Sequence, residues 1–168
     1  MQADEIKARI ADSISFTFGD SKELCDRLLA LIRAGKKTAT CGALREFGPD
    51  GEAMPVVGRQ DIALNWDGTP ALILQTLEVS QLRFCDVDES FALAEGENDN
   101  LEGWQRDHRA YFERNGGFDS EMVLVCERFK LIYDCQLPPG IGPDHQDSSA
   151  ASNLRTLLAD RLIWPCQN

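Results

Sequence analysis

Two stretches of this chain concentrate the side chains that bind anions and move protons. Residues 27–45 hold Arg27, Arg33, Lys36, Lys37 and Arg45 and no acid, a local charge of +5. Residues 86–102 hold Asp86, Asp88, Glu89, Glu95, Glu97, Asp99 and Glu102 and no base, a local charge of −7. A cleft with a cationic wall facing a carboxylate would hold an anion and do proton chemistry beside it. The plainer reading is two solvated faces that pair with each other. The six cysteines, at 25, 41, 85, 126, 135 and 166, form no C-x-x-C pair, and only His108 and His145 accompany them. Zinc sites cluster their ligands at short spacing, so no metal centre is predicted and the thiols read as reduced.

The elements that must position these groups follow from periodicity. Leu24, Leu28, Leu31 and Ile32 recur at helical spacing, and Asp20 with Glu23 resembles a capping box, which predicts a helix over 21–34 ended by Gly35. Strands are expected at 38–43, 61–66, 70–80 and 122–133. Asp67-Gly68 joins the middle pair as a hairpin. A short helix is expected over 86–96. A longer one over 101–115 carries Trp104, His108, Tyr111 and Phe112 as a single stripe. After Cys135 the chain turns Pro-, Gly- and Ser-rich. The domain is therefore drawn at 1–135, followed by a linker and a candidate amphipathic helix within 136–168.

The 168 residues include 17 Lys plus Arg against 28 Asp plus Glu, a net −11, which disfavours long nucleic acid held by bulk charge. No apolar run approaches the roughly 20 residues of a membrane span, and the acidic start does not read as a secretory leader. A cytoplasmic protein without membrane contact is the expectation. Its oligomeric state is not legible.

Gly35-Lys36-Lys37-Thr38-Ala39-Thr40 after an amphipathic helix resembles the G-x-K-T-x-T signature of ASCH domains. The element order, Ala94-Glu95-Gly96-Glu97-Asn98, and the helix from Gly103 to Phe112 are similar to the longer bacterial branch of that family. The resemblance covers about residues 15–134. It implies an α+β, PUA-like fold, a small curved β-barrel flanked by helices. It also implies a cleft for a modified nucleoside or single-stranded RNA. One group of the family hydrolyses N4-acetylcytidine with a Lys, a Thr and a Glu, and these match Lys37, Thr40 and Glu97 here. Other members are described as metal-dependent ribonucleases or as RNA binders without chemistry. Both alternatives stay open, and no cofactor is called for.

In that reading Thr40 is the nucleophile, Lys37 its base and Glu97 a proton-transfer or orienting group. A Lys serves as base only if desolvation or nearby cations depress its pKa. Lys37 and Thr40 are three apart, so strand alternation turns them to opposite faces unless a bend intervenes. Lys36, Arg45, Trp66, Trp104 and His108 complete the candidate substrate-binding set. Trp104 and His108 equally suit a packed helix face, and Trp66 a hairpin tip.

Overall fold

The computed structural model describes Ile10 and residues 12–136. The predicted linker and final helix lie outside the described residues apart from Gln136. In chain order the elements are β1 (Ser15–Thr17), α1 (Lys22–Arg33), β2 (Ala39–Ala43), β3 (Gln60–Leu64), β4 (Pro70–Arg83), α2 (Glu89–Ala94), α3 (Leu101–Arg114) and β5 (Val123–Asp134). Short 3₁₀ turns follow β2 and β4, at Leu44–Glu46 and Phe84–Asp86.

The five strands form one mixed sheet in the order β1-β3-β4-β5-β2, parallel at β1·β3 and antiparallel elsewhere. Both β1 and β2 are edges, so the sheet is open among the described residues and the expected barrel closure is not seen. The fold is α+β. The long β4 pairs with β3 through Gln75 and with β5 through Arg83, and register shifts at Ile73/Leu74 and Thr76/Glu78 bend that ladder.

Apolar side chains gather on both faces of the sheet. Helix α1 buries Cys25, Leu28, Leu29 and Ile32 against Ala63, Leu72, Leu74 and Phe129. Helices α2 and α3 bury Phe91, Trp104 and Phe112 against Ala39, Ala43, Leu124 and Cys126. The α1 cap differs from the sequence expectation. Ser21 is the cap and accepts from the Leu24 amide, whereas Asp20 is drawn 94 residues along the chain to Arg114, at 2.7 Å. A bidentate guanidinium outcompetes an exposed cap for the longer-range carboxylate.

A basic side chain (Arg33) marks the end of α1, and Gly35 leaves it in the left-handed region, φ +71°. That turn sends Lys36 and Lys37 beneath the α2–α3 connection. Gly96 is the matching accommodation on the other side. With φ +74°, it packs so closely that a Cβ there would collide with the Lys36 carbonyl. The Thr38 amide then donates to the Ala94 carbonyl at 2.7 Å, welding the start of β2 to the end of α2.

Candidate functional site

Lys37 lies at this junction, and its side chain is 1 % exposed. Its Nζ donates to Glu95 Oε2 at 3.3 Å, to the Glu95 carbonyl at 3.4 Å and to Glu97 Oε2 at 3.3 Å. The Phe18 ring lies 6.0 Å from the same ammonium. An ammonium has three N–H donors and an unpaired buried charge is costly, so this saturation is what allows a lysine here.

His108 closes the cluster from α3. Its Nδ1 lies 3.0 Å from the Trp104 carbonyl and its Nε2 lies 3.2 Å from Glu95 Oε2. Both partners are acceptors, so this geometry favours a ring protonated on both nitrogens, the imidazolium form. The ring also stacks on Trp104, centroid to centroid 4.2 Å. Lys37 and His108 thus supply two positive charges against the two carboxylates of Glu95 and Glu97.

The protonation equilibria follow from that balance. Burial raises the Glu95 carboxyl, but the charges of Lys37 and His108 outweigh it and bring its pKa to about 2. Burial lowers Lys37, and Glu95 followed by Glu97 more than offsets it, leaving the value above the ordinary lysine range. Desolvation likewise lowers His108 and Glu95 raises it, with a net upward shift. Lys37 in the resting protein is therefore a cation, which differs from the depressed lysine that a base role requires.

Glu97 is the carboxylate that reaches solvent. Its side chain is 13 % exposed, and Oε1 accepts from Arg27 of α1 at 3.2 Å. The basic and acidic segments thus meet at Lys37, Glu97 and Arg27, with Lys37 underneath and Arg27 outside.

The remaining sequence candidates are placed differently. Thr40 sits on β2 opposite Glu127, half-buried, and alternates with Ala39 and Cys41, which pack against the α2–α3 cluster. It makes no side-chain hydrogen bond to Lys37 or Glu97. Lys36 is exposed, with its amide bound to the Leu31 carbonyl. Arg45 donates to the Asn115 and Gly117 carbonyls at 3.2 and 2.8 Å, fastening the C-terminal end of α3. Trp66 is exposed at the β3–β4 hairpin tip. That tip adjoins Gln136, beyond the end of β5, about 20 Å along the strand from the point where Phe129 meets Thr38. Trp104 is fully buried and stacked between Phe84 and His108, so it offers no free face to a base.

Two participants escape sequence reasoning. Glu95 is one of seven clustered acids, and only its burial distinguishes it from the others. Cys41 lies beside it, and Cys41, Glu95 and His108 present ligand atoms all within 4.8 Å of one another. These three are the residues that could hold a metal among those described. The shared carboxylate oxygen is already neutralised by Lys37 and His108, so the set reads first as an internal ion cluster.

With this geometry in place, comparison with known proteins identifies the class. The ASCH domain family model matches residues 14–133, and the chain belongs to that family. An ASCH domain structure from Lactobacillus crispatus is 33 % identical over 77 % of this chain and 85 % of that one, with a TM-score of 0.67. A protein structure from Enterococcus faecalis is 32 % identical over 75 % of this chain and 83 % of that one, with a TM-score of 0.63. A comparison with curated proteins finds no match. No helix among the described residues is long and apolar enough to cross a membrane.

Proposed function

We propose that this ASCH domain recognises a cytidine-like nucleoside, free or in single-stranded RNA, at the Lys37–Glu97–Arg27 rim, and that it hydrolyses an N-acyl group on that base. The observation that supports this reading is the split environment of Glu97. One oxygen is anchored on a buried ammonium and the other on a surface guanidinium. A carboxylate held in this way suits the exocyclic nitrogen of cytosine, which donates to Glu or Asp in direct readout.

The chemistry assigns roles that differ from those the resemblance implies. Water adds to the acyl carbon and the carbon–nitrogen bond breaks, releasing a carboxylic acid and the free exocyclic amine. Glu97 takes the proton from water and returns it to the leaving nitrogen. Arg27, the exposed guanidinium on Glu97 Oε1, supplies positive charge to the oxyanion that forms on the acyl carbonyl, and the buried Lys37 ammonium holds Glu97 in place. Thr40 as nucleophile is the competing assignment from the resemblance. Its place on the opposite parity to Cys41, without a side-chain hydrogen bond to Lys37, favours water instead.

Steady-state kinetics on N4-acetylcytidine test this directly. Glu97→Gln should lower turnover by about 10²–10⁴-fold, the usual worth of a positioned acid–base group, while nucleoside binding survives. Thr40→Val should leave turnover near the wild-type level. Loss of turnover in Thr40→Val would return the attack to Thr40. A wild-type protein that binds cytidine or RNA without turnover would leave a binding module. Ribonuclease activity dependent on a divalent metal would move the chemistry to Cys41, Glu95 and His108.

A further inference from the structure

The β2·β5 ladder sets Cys41 directly opposite Cys126. The hydrogen-bonding phase of that ladder is readable from one bond. The Phe129 amide donates to the Thr38 carbonyl at 2.9 Å, so Thr38 and Phe129 form a hydrogen-bonded pair. Pair type alternates along antiparallel strands, which makes Cys41 and Cys126 a non-hydrogen-bonded pair, with Cα atoms about 4.5 Å apart. Both side chains pack into the same α2–α3 cluster, so they share a face of the sheet. A disulfide spans Cα separations of roughly 4.4–6.8 Å, and this pair lies at the short end. The other described cysteines are placed elsewhere. Cys25 is buried in α1, Cys85 is exposed on the turn after β4, and Cys135 follows β5.

We propose that Cys41 and Cys126 are a redox modification site that closes to a cross-strand disulfide through exchange with a low-molecular-weight disulfide such as oxidised glutathione. Cys41 reacts first, because it is half-buried on an edge strand whereas Cys126 is buried. Burial and the Glu95 carboxylate push the Cys41 thiol up, so the exchange is slow at neutral pH and quickens as pH rises. Its thiolate attacks one sulfur of the small disulfide and releases one small thiol. The Cys126 thiolate then attacks the Cys41 sulfur and expels the second. The two protein thiols are oxidised, the small disulfide is reduced, and both thiol protons leave on the two small thiols.

The site beside it would sense the change. The Cys41 sulfur lies within 4.8 Å of a Glu95 carboxylate oxygen and a His108 ring nitrogen. A disulfide has no S–H, so the buried carboxylate loses a neighbouring weak donor. The inference rests on the ladder and not on the proposed hydrolysis, and its test measures no turnover.

The full-length protein is incubated with oxidised glutathione until exposed Cys85 is fully modified, then alkylated, digested without reduction and mapped by mass spectrometry. The expected product is a Cys41–Cys126 linked peptide that dithiothreitol removes. It should persist in Cys85→Ser and be absent in Cys126→Ser, where Cys41 stops at the mixed disulfide. The His108 ring resonances should shift on oxidation of the wild type and return on reduction. Cys41 and Cys126 both still alkylatable at the end point, or Cys41 joined to another cysteine, would overturn the proposal. Closure of the bridge with no change at His108 would overturn its coupling to the site.

Discussion

Lys37 and Glu95 meet at 3.3 Å with side chains only 1 % and 2 % exposed, an ion pair removed from water. The pair holds because both partners are further committed. Lys37 also reaches Glu97, and Glu95 also accepts from His108. Neither charge is left to bear its desolvation alone. Residues from three parts of the chain, the α1–β2 turn, the α2–α3 connection and α3, are thereby tied at one point.

Removing the ammonium should be far worse than its small volume suggests. Lys37→Met takes away the charge that Glu95 and Glu97 share and leaves Glu95 only His108 and Glu97 only Arg27, and breaking a buried pair in this way typically costs about 3–5 kcal/mol. Urea denaturation should show that loss. A Lys37→Met/Glu95→Gln double variant should recover part of it, because the stranded buried charge is gone. A Lys37→Met protein as stable as wild type would mean that the cluster carries little stabilisation.

The cluster also sets a pH window for stability. Glu95 has a folded pKa of about 2 against 4.5 ordinarily, so its contribution is present above about 4.5 and is lost as pH falls towards 2. His108 is shifted upward from 6.5, so its contribution is complete below 6.5 and is lost as pH rises through the folded value. Tm followed against pH should therefore be highest between about 4.5 and 6.5 for these two groups. His108→Gln should remove the decline on the alkaline side and leave the acid limb.

Gly96 should tolerate no side chain. Its φ of +74° already disfavours L-residues, and the Lys36 carbonyl occupies the space a Cβ needs. Gly96→Ala is expected to cost more than about 1 kcal/mol, since Ala at positive φ loses more than it gains in the unfolded chain. Thermal unfolding reads the loss. Because Gly96 lies between Glu95 and Glu97, the same variant should weaken nucleoside binding more than Gly35→Ala, whose added Cβ would meet nothing within 4 Å.

Salt dependence separates the two forms of the ligand. RNA held by Arg27 and the exposed Lys36 through its phosphates should lose affinity steeply as salt rises, by counterion release. A nucleoside read at Glu97 should show a shallow dependence. Titrations of cytidine and of a short single-stranded RNA at several ionic strengths measure both slopes. Arg27→Ala should flatten the RNA slope.

Local order in the sequence carried much of the fold. The leucine spacing of α1, the Trp104–Phe112 stripe of α3, the Asp67-Gly68 hairpin and the family motif each depend on residues a few positions apart, and a backbone period registers such patterns directly. The pairing of Lys37 with Glu97 was also legible, through opposite charge runs and the motif in both halves of the chain.

Tertiary structure alone decided the state of those groups. Burial and contacts across some 60 residues turned Lys37 into a saturated cation, chose Glu95 among seven acids, and brought His108 and Cys41 to it. Strand parity set Thr40 away from Cys41, and the edge positions of β1 and β2 left the sheet open. A sequence pattern reports which residues share an element's face. Desolvation, charge balance and cross-strand register exist only once separate elements pack together, and those three quantities set the charge state and contacts of this cluster.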